Sequence, residues 1–403
     1  TGGEPRALMR KRLRWIVLLL AGAILLGLVW FSYTPDPEIT GLRNVLHYQV
    51  AQWLGGPKVR TDEPPGTIVG TIRDAKGEPV AGATVLVAAP LGHTFTQESD
   101  SDGRYRISDV PPGRYVPVAG KRGYEDTLNQ TCLASLCFKH AVSVRSEAES
   151  RAGDLALVPA DPPAILVDDS LIVSSTVRVK VGAPFPSQSL RTHFSFERAG
   201  LRVNDCYLYE PVEGQGPPAV GKAGLLPTLL LVLPGPVLSW EIVPVPFAAE
   251  GFSVLACYPL RGIDIDEDAA DLLTALEYLR QGRIPSRADT DRLGLIGASF
   301  TSIHAYRLLG LTGGLTELEE VDMDVALVLG GMSDGFAFRH DVEMGTAHTR
   351  PPFGQVLMAL GFPNTSPELY FRYSSIFHLE GLPPLCLLHG IDDELVPYSQ
   401  SVQ

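Results

Sequence analysis

Apolar residues follow four successive patterns along this chain. The first is continuous. From Trp15 to Pro35 no charge occurs, and nearly every position up to Phe31 is apolar. These twenty-one residues would span roughly 31 Å as a helix, about one bilayer core. Trp15, Trp30 and Tyr33 stand at the ends, where amphipathic rings favour the membrane interface. The second pattern, residues 36–65, is mixed and rich in Pro and Gly; it reads as a stalk with a short helix around 42–54. The third starts at Gly66, with short alternating segments at 67–73, 84–88, 104–107 and 114–119. Turns at Ala75-Lys76-Gly77, Asp102-Gly103 and Pro112-Gly113 separate them, and this spacing predicts a small antiparallel sandwich over 66–160. The fourth follows Asp161-Pro162-Pro163 and runs through 161–403. Residues 227–233 and 252–258 are unbroken apolar runs, as strands buried on both faces require. Ala269, Leu272, Leu273, Leu276 and Leu279 recur at helical spacing over 268–281. A strand at 293–296, a helix at 300–309 and strands at 325–329 and 384–388 continue the alternation. It predicts a doubly wound, mostly parallel sheet.

Charge sharpens this picture. The net charge is −13 over 403 residues, yet residues 1–14 carry five cations and one anion. That basic tail is net +4, which leaves −17 for the rest of the chain. A body so acidic repels phosphate backbones, so no nucleic-acid partner is expected. Cations on the N-terminal flank alone predict a cytoplasmic N-terminus and a single-pass anchor at 15–35, with everything beyond it exported. A cleaved signal peptide would want small residues after the apolar core, where Phe31-Ser32-Tyr33-Thr34-Pro35 stands. Thr1 in place of Met, and a helix just beginning at Gln403, suggest part of a longer protein. Cys132 and Cys137 are placed for a local disulfide outside the cytoplasm. Cys206, Cys257 and Cys386 read as small buried residues. No Cys/His spacing calls for a metal, and no motif calls for a cofactor.

Two serines compete as nucleophile. Ser333 lies in a literal G-x-S-x-G, Gly331-Met332-Ser333-Asp334-Gly335; Ser299 lies in Gly297-Ala298-Ser299-Phe300-Thr301, which lacks the last glycine. Context favours Ser299. It follows a strand and precedes a helix, as a nucleophile elbow requires, whereas no helix is expected after Ser333. An N-capping serine is the plain alternative for Ser299. The acids Asp264, Asp266, Glu267, Asp268 and Asp271 gather at a helix start, where its dipole stabilises them, and they lack the spacing of a calcium loop.

Two resemblances follow from the motifs. Val69-Gly70-Thr71-Ile72-Arg73-Asp74-Ala75-Lys76-Gly77-Glu78-Pro79-Val80-Ala81-Gly82-Ala83-Thr84-Val85, with Asp102-Gly103-Arg104-Tyr105 and Val110-Pro111-Pro112-Gly113-Arg114-Tyr115, resembles the carboxypeptidase regulatory-like (transthyretin-like) domain. That likeness implies a seven-stranded, non-catalytic module. The stretch from about residue 191 onward resembles prolyl-oligopeptidase-like and dienelactone-hydrolase-like serine hydrolases, and so implies an α/β-hydrolase fold. In Leu388-His389-Gly390-Ile391-Asp392-Asp393-Glu394-Leu395-Val396-Pro397 the likeness places the triad acid at Asp393, with His389 as part of the turn. Leu231-Val232-Leu233-Pro234-Gly235-Pro236 occupies the oxyanion turn. There Pro234 replaces the usual His, and Pro236 has no N–H to donate. The N–H of Phe300 is then one expected oxyanion donor, with Gly235 or Val237 supplying the other. The family order Ser, Asp, His puts the base after Asp393; His304, His340, His348 and His378 precede it. Gly331 to Asp334 matches a structural Gly-x-x-Asp turn of the family, and residues 336–379 are expected to form a cap. The implied protein is a membrane-anchored, extracytoplasmic serine hydrolase acting on an ester or peptide bond. The rival is an inactive hydrolase fold serving as a binding or scaffold protein, suggested by Thr301, Pro234 and Pro236.

Overall fold

The computed structural model of the chain describes residues 4–56, 62–160, 165–213, 224–259, 261, 264–312, 322–349, 353–378 and 381–402. The boundary expected at 161–163 lies outside them.

The C-terminal domain is built on a nine-stranded sheet. Its main strands are β1 (Ser187–Arg198), β2 (Leu201–Glu210), β3 (Leu226–Val232), β4 (Ser253–Cys257), β5 (Ala288–Ala298), β6 (Val325–Leu329) and β7 (Leu385–Leu388). Their spatial order is β1-β2-β4-β3-β5-β6-β7, with Ile172–Val173 and Val177–Val181 paired on the outer edge of β1. β2 runs antiparallel to both neighbours, and from β4 to β7 every pairing is parallel. This doubly wound order is the α/β-hydrolase fold. β4 is buried throughout, and β3 everywhere but Pro227, which explains their unbroken apolar character. Helices α3 (Pro244–Ala249), α4 (Ile265–Arg280) and α5 (Ser302–Thr312) cover the sheet.

The cysteines correct the sequence reading. Cys206 and Cys257 are register partners on β2 and β4, and they form a disulfide. They are buried as expected, but nothing in the sequence shows that β2 and β4 lie side by side. Cys386 is exposed on β7, beside Leu387 and Leu388, which are also exposed. The expected bridge between Cys132 and Cys137 is present.

Residues 66–157 form short strands in two four-stranded sheets and two two-stranded ones. The count exceeds the seven expected. Glu149–Arg151 and Leu155–Leu157 both pair with Gly66–Asp74, one after the other, and the disulfide clamps an added hairpin, Gln130–Leu133 with Leu136–Lys139. The segment at 114–119 breaks at Val116-Pro117 into Gly113–Tyr115 and Val118–Gly120. Ile68, Ile72, Val85, Tyr105, Ile107 and Leu155 belong to a separate core.

The sandwich docks on the cap. Helices α6 (Gly335–Met344), α7 (Phe353–Leu360) and α8 (Pro367–Arg372) make up the expected cap segment. Phe336, Phe338, Tyr370 and Phe371 share one apolar cluster with Leu86, Ala88 and Val118 of the sandwich and with Ile303 and Met332 beneath. Lys139 pairs with Glu368 at 2.5 Å. Gly92 (φ +98°) sits against α6 so closely that an added Cβ would lie 2.3 Å from Phe336 O.

The N-terminal region differs from a free stalk. α1 (Glu4–Tyr33) is one helix and takes in most of the basic tail, and α2 (Pro37–Trp53) follows a three-residue break. Among the described residues no single helix is long and apolar enough to cross a membrane. Leu18–Tyr33 and Pro37–Trp53 reach that length and apolarity only as a pair bent by 93°. α2 lies against the cap: Asn44 Nδ2 donates to Ala359 O at 2.8 Å, and Arg339 stacks 4.8 Å above the Tyr48 ring.

The Gly92 contact yields a prediction. Gly92→Ala adds a backbone clash to the strain of a positive φ and should cost about 1–3 kcal/mol. Gly77→Ala (φ +85°) carries strain alone, because nothing lies within 4 Å of its added carbon. Denaturant unfolding of the two variants should show Gly92→Ala as the more destabilised.

Candidate active site

β5 ends at Ala298, a single 3₁₀ turn covers Ser299–Thr301, and α5 begins at Ser302. Ser299 itself has φ +54°. A side chain in this left-handed region costs roughly 1–2 kcal/mol and persists only where the surroundings impose it. The surroundings are specific. A Cβ at Gly297 would lie 2.5 Å from Ala305 Cβ, so strand and helix cross at glycine distance. Gly331, just past the end of neighbouring β6, is also close: an added Cβ would lie 2.7 Å from Ser302 Cβ. Ser302 Oγ accepts from Met332 N at 2.8 Å and donates to Met332 O at 3.1 Å, which ties the first residue of α5 to the end of β6. Ser299 is half-buried at the C-terminal edge of the sheet.

Thr301 stands where the motif usually has glycine. It is fully buried, and its hydroxyl lies 2.7 Å from Val232 O and 2.8 Å from Ala298 O, donating its one proton between them. The sequence shows the departure but not this compensation.

Ser333 is placed differently. A helix does follow it, contrary to expectation: α6, capped by Asp334, which accepts from Phe336 N and Ala337 N. Ser333 nonetheless makes no elbow. It is buried, its hydroxyl donates to Gln400 O, and its N–H donates to Gln400 Oε1. Burial pushes the Asp334 carboxyl above the usual range, against the two helix N–H groups that favour its charge. Gln400, buried at the hub of this turn, escaped the sequence reading because no motif marks it.

Asp393 lies in the turn after β7. Its Oδ1 accepts from Leu395 N at 2.9 Å and Val396 N at 3.0 Å. Its Oδ2 lies 3.4 Å from the position a Cβ on Gly330 would take, so the carboxylate sits over the end of β6, one strand from Ser299. Its side chain is partly exposed. His389 serves the turn: Nε2 donates to Val396 O at 2.8 Å, which leaves Nδ1 to accept from Ser401 Oγ at 2.6 Å.

The oxyanion turn corrects one expectation. Val237 N–H donates to Asp205 Oδ2 at 3.0 Å, because Pro236 leads the chain into the 3₁₀ turn Val237–Trp240. Val237 is therefore committed elsewhere. Burial raises the Asp205 carboxyl, and the Val237 N–H lowers it in part. Gly235 is buried on the turn, where an added Cβ would meet Trp240 Nε1 at 2.9 Å. Phe300 lies in the single 3₁₀ turn Ser299–Thr301 that follows β5.

Other candidate groups are bound into the fold. His304 is buried, with Nε2 at 3.1 Å from Asp268 Oδ2. His340 contacts Leu91 O, and His378 lies 4.0 Å from Asp126. The acids at the start of α4 have partners beyond the helix dipole. Asp264 caps the helix, Asp266 pairs with Arg307, and Glu267 and Asp271 pair with Arg198.

Residues 67–135 match the family model of the carboxypeptidase regulatory-like domain. Solved structures similar to the chain include an acylaminoacyl peptidase of Pyrococcus horikoshii: 14% identity, 82% of this chain, 55% of that one, TM-score 0.39. A puromycin-hydrolyzing peptidase of Mycobacterium tuberculosis shares 16% identity, over 82% of this chain and 46% of its own, with TM-score 0.36. An acetyl xylan esterase of Paenibacillus sp. R4 shares 17%, over 54% of this chain and 82% of its own, with TM-score 0.30. The chain spans about half the length of these two peptidases. Among curated proteins none matches it.

Thr301→Val keeps the shape and removes the hydroxyl. Its loss from a buried site should cost about 1–3 kcal/mol. Denaturant unfolding checks this, and a cost near zero would show that the two carbonyls need no donor there.

Proposed function

We propose that this protein is a serine hydrolase that cleaves an ester or peptide bond. It is anchored by α1, and its catalytic domain lies outside the cytoplasm. The observation that carries the reading is the backbone of Ser299: a half-exposed serine with φ +54° between β5 and α5. An N-capping serine needs no such strain, whereas an elbow nucleophile does. In this reading Ser299 Oγ attacks the carbonyl carbon, and Phe300 N–H with Gly235 N–H stabilises the oxyanion. Asp393 orients a histidine base that takes the serine proton and returns it to the leaving group. In the family order that histidine follows Asp393. The disulfides Cys132–Cys137 and Cys206–Cys257 support an oxidising compartment. The basic flank supports a cytoplasmic N-terminus. The substrate is a small ester or peptide, and the net negative body argues against nucleic acid.

The inactive-scaffold reading is favoured by one observation, the commitment of Val237 N–H to Asp205. The two readings separate in one experiment. A fluorophosphonate probe should label the full-length protein, and Ser299→Ala should abolish labelling while Ser333→Ala, in the folded fraction, retains it. Labelling that survives Ser299→Ala names the wrong serine, and no labelling of the wild type favours the scaffold.

The location has its own test. Protease added outside intact cells or spheroplasts should digest the sandwich and hydrolase domains and spare the N-terminus. Protection of both domains would overturn the exported reading.

A further inference from the structure

α2 is amphipathic in the inverted sense. The face it presents to the protein is polar: Thr40, Gly41 and Asn44 are buried, and Asn44 reaches Ala359 O. A Cβ at Gly361 would lie 2.8 Å from Asn44 Cγ. Its apolar residues point away. Leu42 is 51% exposed, Leu46 46%, Val50 53% and Trp53 84%. At 3.6 residues per turn these four fall within an arc of about 80°, roughly opposite Asn44. A helix on a water-soluble body turns the other way, with its apolar stripe inward.

The bend fixes where this stripe lies. α2 leaves α1 at 93°. Arg43 holds the corner, donating to Phe31 O at 3.0 Å and Thr34 O at 3.1 Å, with Thr40 Oγ1 as a third partner. Asp36 caps α2 through Ile39 N. If α1 crosses a bilayer, α2 runs in its plane. Trp30 and Tyr33 are exposed beside the corner, and Trp53 is exposed at the far end of α2.

We propose that α2 lies in the polar–apolar boundary of the lipid bilayer, with Leu42, Leu46, Val50 and Trp53 in the acyl region, and that it holds the cap of the hydrolase against the membrane. Such helices bury their apolar face about 5–10 Å into the boundary, with aromatic residues at headgroup level. The clamp on the cap is already in place. Arg339 stacks on Tyr48, and Phe362 packs against His47 and Tyr48. This placement rests on the reading of α1 as a membrane anchor.

The test uses the protein of residues 1–403 in phospholipid vesicles, with Trp15, Trp30 and Trp240 replaced by Phe so that Trp53 alone remains of its four tryptophans. Lipids brominated near the headgroup should quench Trp53 more than lipids brominated near the chain ends. Iodide in the water should quench it little, and Leu42→Glu with Leu46→Glu should reverse both effects. A companion protein with Ile24→Trp and Trp53→Phe reports on α1, where deep bromines should quench most. If this α1 reporter is quenched while Trp53 answers only to iodide, the anchor stands and the proposal for α2 is overturned. Trp53 shielded from iodide yet untouched by brominated lipid would mean a protein covers the stripe, which also overturns it. If neither reporter senses lipid, the anchor and the proposal fall together. If only Trp53 senses it, the interfacial helix stands without the anchor.

Discussion

The strained backbone of Ser299 is the point on which the C-terminal domain is organised. A left-handed serine is unfavourable by roughly 1–2 kcal/mol, so its neighbours must hold it. β5 is paired on both sides, with β3 and β6, and cannot shift. Gly297 lets α5 cross directly over the strand, and Gly331 lets the end of β6 meet the same helix. Ser302 closes the arrangement with its two bonds to Met332. Replacing any of these by a larger or non-bonding group would let the turn relax toward an ordinary conformation, and the hydroxyl would lose its aim. The sheet order matters for the same reason. It sets three strand ends in a row, carrying the serine, the Gly-x-x-Asp turn and the acid.

The cap is where the rest of the chain meets this site. Sandwich, α2 and sheet all pack against the segment after β6. The apolar cluster that holds Phe336 and Phe371 also takes in Leu86 and Val118, and Phe300 packs against it from the elbow. Charge is partly buried there too. Arg372 reaches Asp266, which also accepts Arg307, and Lys139 reaches Glu368. Single ion pairs of this kind contribute little net stability, but breaking one by losing a partner is costly. They therefore specify how the parts fit more than they hold them together. Burial also lowers the proton affinity of His378, near Asp126 of the sandwich.

Much of this was legible in the residues. Continuous apolar runs located β3 and β4, and the order of motifs pointed to the hydrolase sheet. The choice of Ser299 over Ser333 came from the strand before it and the helix after it. A helix, α6, follows Ser333 as well, and the positive φ of Ser299 with the burial of Ser333 is what separates them. What stayed hidden depends on contacts between distant segments. Cys206 and Cys257 looked like apolar filler because only the sheet order makes them neighbours. Val237 looked available because Asp205 lies far back on β2. The arginines that answer the acids of α4 come from β1 and α5, and no local pattern links them. The docking of α2 was hidden for a related reason, since its polar face finds its partner more than 300 residues away.

The two departures from the family pattern touch each other. Thr301, which replaces the last glycine of the elbow, donates to Val232 O, and Val232 is the last residue of β3 before Leu233-Pro234-Gly235-Pro236. The hydroxyl therefore ties the elbow to the strand that delivers the altered oxyanion turn. Two prolines restrict that turn further, and the approach of Trp240 to Gly235 leaves no room for a side chain there. A turn held this firmly keeps its remaining N–H in one orientation. Preorganised donors are what stabilise an oxyanion without reorganisation at the moment of reaction. With Pro236 lacking an N–H and Val237 bonded to Asp205, Gly235 N–H is the donor of this turn that the proposed reading assigns to the oxyanion. The unusual residues need not mark a lost activity. In the proposed reading they fix the oxyanion turn through different groups, and its Gly235 N–H works beside that of Phe300.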